Sequence, residues 1–480
     1  MNFSGCHLRQ FVFIGVSFLL VCSRLHAKDG DGDQVRIQVD TKNVVGQISS
    51  DFIGFGYESS AVAQPNYFSP SNTSLIRLYR NLSTHGLIRI GGNVSDHTQY
   101  APDGISTVNS ERGVTIINRA NLADLAAFAR LTGWRVMWGL NLGTGSKEQA
   151  VQEAEAVAVN LGDRLQSFEI GNEVDIHGHY GLKFYNFGSY YSNYLSFKAA
   201  VQEVLPEAVF SGPDVAGSVA WLQDFAKSEG QGVRLLTHHY YRTGAMTPGA
   251  TIENLLASDT GWQAELGRLQ QISQDSGVPF RINEINSFYG GGKAGVSDTF
   301  ASALWCLDNM FVLASRGCNG VNMETDINHL AWISHYSPIV HDATMKCWAR
   351  PEYYGMLAFA LAGEGELLPV TVSKGDINLT AYATHDKHGS FWVVVVNKDL
   401  ARDALLEVTL PDGYGGADAF RLEAPLVTST NQVILAGAEV SADGQWNPGS
   451  PQRVPALNGV VQAVLPREAA ILLRLRSLKR

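Results

Sequence analysis

The sequence predicts an α/β protein: a (β/α)8 TIM barrel followed by a C-terminal β-sandwich domain that an N-terminal strand completes. Three observations carry this. Between residues 53 and 326, eight short apolar runs are separated by helical stretches, the strand–helix repeat of a closed parallel barrel. Beyond about residue 365 the helical pattern stops, and short β-rich runs alternate with Gly, Asp and Pro turns. Hydrophobic residues make up 45% and charged residues 17% of 480, enough for one large cored domain and a smaller one.

Taken in order, residues 1–27 lead from His7 and Arg9 into the apolar run 11–21 and end on Ala27. That run is too short to span a bilayer and reads as a cleaved signal peptide, which implies a secreted or periplasmic protein. Residues 28–33 carry alternating Asp and Gly, but Gln34 stands where a calcium loop needs Gly, so a solvated tail is expected. Residues 28–50 are assigned to the sandwich, because Val35–Asp40 alternates as a half-buried strand does.

The barrel, residues 51–360, takes its strands from 53–58, 86–92, 135–143, 167–173, 209–215, 235–241, 280–286 and 318–326. Amphipathic helices are expected at 120–132, 147–160, 190–204 and 298–315. No Gly-rich phosphate fingerprint follows the first strand, which argues against a doubly wound open sheet. The sandwich, residues 361–480, takes strands from 377–384, 391–397, 405–410, 419–423, 433–435 and 469–475.

The formal charge is −10, and loss of Arg9 and Arg24 with the leader leaves 34 basic side chains against 46 acids. Such a surface repels nucleic acid and strongly sulfated polyanions, and no membrane partner is expected after cleavage. Cys306, Cys318 and Cys347 remain, without metal-site spacing, and are expected as buried thiols. His238 and His239 are adjacent and face opposite ways, so neither a metal nor a cofactor is expected.

Barrel chemistry sits where strands end at the C-terminal face. The fourth run ends Phe168-Glu-Ile-Gly-Asn-Glu173, and alternation aims Glu169, Gly171 and Glu173 at the barrel axis. The seventh, Phe280-Arg-Ile-Asn-Glu-Ile-Asn286, aims Glu284 at the same mouth. Two carboxyl groups on opposite walls of one cleft are what glycoside hydrolysis requires, one to protonate the leaving oxygen and one to attack. Arg89 alternates inward on the second strand and needs a buried carboxylate partner, either Glu284 or Glu169. On the sixth strand, His238 and Tyr240 share one face and His239 and Tyr241 the other; a Tyr hydroxyl there could hold Glu284 ionised. Three glycines at 290–292, just after Glu284, suit an anion-binding concavity.

These pieces together resemble glycoside hydrolase family 79, which holds β-glucuronidases and heparanase. The matching residues are Ile88-Arg-Ile-Gly-Gly92, Glu169-Ile-Gly-Asn-Glu173, His238-His-Tyr-Tyr241, Glu284 with Tyr289-Gly-Gly-Gly292, Ser297-Asp-Thr-Phe-Ala301, and His335-Tyr336. The resemblance implies a retaining mechanism with Glu173 as acid/base and Glu284 as nucleophile, acting on a glucuronic acid-containing glycoside. It implies further that Asn172 binds the sugar 2-hydroxyl and that Tyr240 holds Glu284, with His238 in support. Tyr289, Gly290, Gly291 and Tyr336 would bind the uronic carboxylate, and Glu58 and Asn93 the sugar hydroxyls.

The acidic charge, and the absence of an excisable basic segment in residues 93–134, favour an exo-acting β-glucuronidase over a heparanase-like endo-enzyme. A non-catalytic carbohydrate-binding relative is the third reading, and retention of both glutamates weighs against it.

Overall fold

The computed structural model describes residues 32–108, 113–176, 186–386 and 388–478; the expected leader, residues 1–27, lies outside them. Eight parallel strands pair in the spatial order four, three, two, one, eight, seven, six, five. They are Gly54–Glu58, Leu87–Gly91, Arg135–Leu140, Leu165–Ile170, Gly212–Val215, Leu236–Gly244, Phe280–Tyr289 and Val321–Glu324. A parallel bridge between Phe168 and Phe210 joins strands four and five, so the ring closes. All eight expected runs overlap their strand; five contain it whole, while strand four starts two residues earlier and strands six and seven each run three residues further.

The helices form where side chains cap their ends. Arg119–Thr132 starts in a capping box of Asn118 with Asn121 and stops at Gly133, whose φ is 83°. Lys147–Leu161 starts in a second box, Ser146 with Gln149. Phe300–Ser315 is buried on nearly all sides, as its apolar sequence demands, because the barrel lies on one side and the β-domain on the other.

The β-domain is one curled 12-stranded mixed sheet enclosing its own apolar core. The early strand, Asp33–Val39, pairs parallel with Ala404–Thr409 and antiparallel with Val370–Ser373, and so completes the sheet as expected. Gly46–Ile48 adds an edge beside Gly365–Leu368. Cys306, Cys318 and Cys347 are buried free thiols. Among the described residues no helix is long and apolar enough to cross a membrane.

One buried ion pair ties the two bodies together. Asp308, on the Phe300–Ser315 helix, pairs with Lys398 of the β-domain and accepts a hydrogen bond from Tyr382 at 2.7 Å. Burial alone would push the Asp308 carboxyl up, but Lys398, Thr380 and Tyr382 more than reverse this and hold it low. Asp308→Ala leaves a lysine that is 3% exposed without its partner. The variant should lose about 3 kcal/mol at pH 7 by urea denaturation. The difference should shrink as pH falls through the folded carboxyl's depressed pKa, since only the ionised form contributes.

Candidate active site

The C-terminal ends of the strands meet at a cavity of about 480 Å³. Glu58, Asn93, Glu173, Glu284, Tyr289, Gly290, Gly291 and Tyr336 all border it, eight residues singled out from sequence. Asn172 and Arg89 lie directly behind the wall, 1% and 0% exposed.

Glu173 and Glu284 face each other across His239. One oxygen of each carboxyl group and one ring nitrogen of His239 all lie within 4.8 Å of one another. His239 Nδ1 sits 3.3 Å from Glu173 and 3.6 Å from Glu284, while Nε2 sits 2.9 Å from Asp214. Burial disfavours the imidazolium, but Glu284 and Asp214 outweigh it and raise its pKa well above the usual value. Each ring nitrogen thus faces a carboxyl group, Nδ1 toward the two glutamates and Nε2 toward Asp214. This trio is the one cluster among the described residues with metal-ligand geometry, and here His239 lies between the two carboxyl groups.

Arg89 fans out beneath the pair. It donates to Glu284 at 2.9 Å, to Asp214 and Asn172 at 2.6 Å each, and to Glu169 at 3.4 Å. Both expected partners are met, and Asp214 is a third. Asp214 (φ 64°) and Glu173 (φ 46°) both hold left-handed backbone, a conformation costly for side chains with a Cβ. The neighbouring turn is also tightly held: Asn172 donates to Asn93 at 3.0 Å, and the Asn93 and Val94 N–H groups donate to Glu58.

The sixth strand corrects two assignments. Tyr240 does not hold Glu284; its hydroxyl donates to Asp259 at 2.8 Å and its ring stacks on Trp262 at 4.0 Å. His238 points the same way, with Nε2 3.2 Å from Glu265. The hydroxyl that donates to Glu284, at 2.9 Å, belongs to Tyr241. The cause is a register shift between His238 and His239 in the pairing to strand seven, which sets His239 opposite Glu284 and turns 239 and 241 inward. Burial and the adjacent Glu284 charge raise the Tyr241 pKa, so it remains a donor. Tyr241→Phe should therefore lower kcat about 10–100-fold, whereas Tyr240→Phe should leave kcat unchanged and cost only stability. Steady-state rates of the two variants separate these outcomes.

At the opposite wall, Gly290, Gly291 and Gly292 have φ of 82°, 86° and 76°. A Cβ on Gly291 would lie 2.5 Å from Trp332, and one on Gly292 would lie 2.7 Å from the Tyr336 nitrogen. Only glycine fits this path. The Gly292 N–H is used on Phe288, while no partner among the described residues takes those of Gly290 and Gly291. Tyr289 stands 58% exposed at the rim and Tyr336 is buried beside it.

Sequence reasoning missed Asp214, Tyr241, His239, Glu324 and His329. Glu58 is pushed up to about 7, chiefly by burial, with the Glu284 charge adding to this and His329 opposing it. His329 is raised to about 10 by Glu58 and Asp326 against its burial.

Comparison with known proteins bears on this geometry. The family model described as "Glycosyl hydrolase family 79, N-terminal domain" matches residues 72–311. A β-glucuronidase of Aspergillus niger is 26% identical over 391 residues, covering 73% of this chain and 70% of its own. Heparanase-like protein 1 of Arabidopsis thaliana is 23% identical, covering 85% and 78%. Among solved structures, a 4-O-α-L-rhamnosyl-β-D-glucuronidase of Fusarium oxysporum superposes with TM-score 0.77 at 19% identity, over 92% of this chain and 100% of that one.

Proposed function

Because the chain belongs to glycosyl hydrolase family 79 and is a glycoside hydrolase, we propose that it is a retaining exo-β-glucuronidase acting on terminal β-linked glucuronic acid. The observation that carries this reading is the close approach of Glu173 and Glu284, with oxygens within 4.8 Å of each other at one cavity. Retaining glycosidases place their carboxyl groups roughly 5–5.5 Å apart, and inverting ones leave room for a water. Glu173 protonates the departing oxygen while Glu284 attacks the anomeric carbon; Glu173 then deprotonates the water that releases the sugar. Arg89 and Tyr241 donate to Glu284 and His239 faces it, which fixes its oxygens for attack on the anomeric carbon.

The uronate specificity rests on the Tyr289–Gly291 turn with Tyr336. Neutral donors there can hold a carboxylate without adding a further cation, beyond Arg89, beside the nucleophile. The exo reading is supported by charge: among the described residues no Lys or Arg borders the cavity, which disfavours a sulfated chain. Ile176 and Ala216 border it beside Glu173, where the aglycone would lie. The apolar run at 11–21, expected as a cleaved leader, supports export to the medium or a periplasm.

Purified protein should cleave an aryl β-glucuronide far faster than the matching β-glucoside, and proton NMR should detect the β-anomer of glucuronic acid first. Equal glucoside cleavage would defeat the uronate reading, and a first-formed α-anomer the retaining one. Release of oligosaccharides rather than single uronic acids from heparan or hyaluronan would replace exo with endo action.

A further inference from the structure

Glu324 ends the eighth barrel strand, and its side chain borders the same cavity while remaining 3% exposed. Neither carboxyl oxygen has a hydrogen-bond partner among the described residues, although both are buried. A buried acid normally finds partners, so two idle oxygens at a ligand cavity mark a place for one. The position is also built. Gly56, facing it from strand one, leaves the room it occupies, since a Cβ there would stand 2.5 Å from Glu324 Oε2. The Asn286 amide then clamps the main-chain oxygens of Glu324 and Tyr336, at 3.1 and 3.2 Å, which fixes the acid beside the wall assigned to the uronate.

The charges around it are unequal. Glu284 from strand seven, Glu58 from strand one and Asp326 from the following loop are acids; Arg89 from strand two and His329 are the cations, and the Tyr241 and Tyr336 phenols are neutral. Burial first, then Glu284 and Glu58, push the Glu324 carboxyl well above its usual range, with Arg89 opposing. A glucuronate brings one more carboxylate into this space, and a second ionised glutamate would repel it.

We propose that Glu324 is a specificity-determining residue for the uronate, a neutral carboxylic acid that hydrogen-bonds the bound sugar from the pocket floor. The proposal rests on the glucuronidase reading. An amide reproduces a neutral acid in shape and charge, so Glu324→Gln should keep KM for an aryl β-glucuronide within about threefold of wild type at pH 5, whereas Glu324→Ala should raise it about tenfold or more. If Glu324 instead served as a charged acceptor, Gln and Ala would fail alike, and that result would overturn the proposal.

Calorimetric binding of D-glucuronate and of its neutral amide, D-glucuronamide, to the whole protein supplies a readout that needs no turnover. Between pH 5 and pH 9, wild type should lose glucuronate affinity more steeply than Glu324→Gln, and the two proteins should show equal pH dependence for glucuronamide. Equal slopes for glucuronate would overturn the inference. Wild type that binds no glucuronate at either pH would sink the glucuronidase reading itself. Should Glu324→Ala unfold, the comparison of wild type with the Gln variant still decides.

Discussion

Glu284→Gln is expected to lower kcat toward an aryl β-glucuronide by on the order of 10⁵-fold or more, while the protein stays folded and still binds glucuronate. Three neighbours of this side chain are placed to hold an anion. Arg89 donates to Oε2, Tyr241 donates to Oε1, and the His239 imidazolium lies 3.6 Å from Oε2. An amide removes the charge these groups stabilise and the oxygen nucleophile that would form the glycosyl ester. It keeps the volume, so the cavity persists. Turnover should vanish for poor and activated leaving groups alike, because the nucleophile is needed whatever leaves. Glu173→Gln should behave differently, sparing an activated nitrophenyl leaving group far more than an alkyl one, since only the poor leaving group needs the proton. If the Glu284 variant kept wild-type rates, or if leaving-group quality did not separate the two variants, the assigned roles would be wrong.

The barrel was legible because its strands are short, apolar and separated by periodic helices, and a strand end fixes where a carboxylate points. That is why Glu173, Glu284 and Arg89 could be placed before any coordinates. Alternation gives two faces but not which one is inward when a bulge intervenes, and the register shift at His238/His239 reversed the choice between Tyr240 and Tyr241. Asp214 was hidden for a different reason. It follows a Gly-Pro pair and adopts φ of 64°, so neither strand alternation nor a helix pattern describes it. Glu324 was hidden by the brevity of the eighth strand, four residues within a longer apolar run, which obscures the terminal position. In hindsight the signal was Gly56, a small residue two positions before Glu58 on a fully buried strand, which marks a large inward side chain on a neighbouring strand.

The second large effect concerns Arg89, where stability and catalysis share one side chain. Arg89→Met should destabilise the protein by about 3–5 kcal/mol at neutral pH, because Asp214 and Glu284 would keep their burial and lose their common cation. The pH dependence gives the test its sign. Burial raises the Asp214 carboxyl, but Arg89 and His239 reverse this and hold it below the ordinary 3.8, so its contribution is present above that pH and lost as acid protonates the folded form. Glu169 is the opposite case. Burial and Asp214 raise it to about 8 despite Arg89, so its contribution is complete below about 4.5 and is lost as pH rises through about 8. Without Arg89, only His239 and Asn283 oppose the burial of Asp214, so its folded carboxyl moves toward the proton-binding side that Glu169 already occupies, and each pKa unit of that rise is worth about 1.4 kcal/mol. The stability deficit of Arg89→Met should therefore widen from pH 5 to pH 8 in urea denaturation. A deficit independent of pH would mean that Arg89 acts through packing alone, and that the carboxylate cluster carries its charge without it.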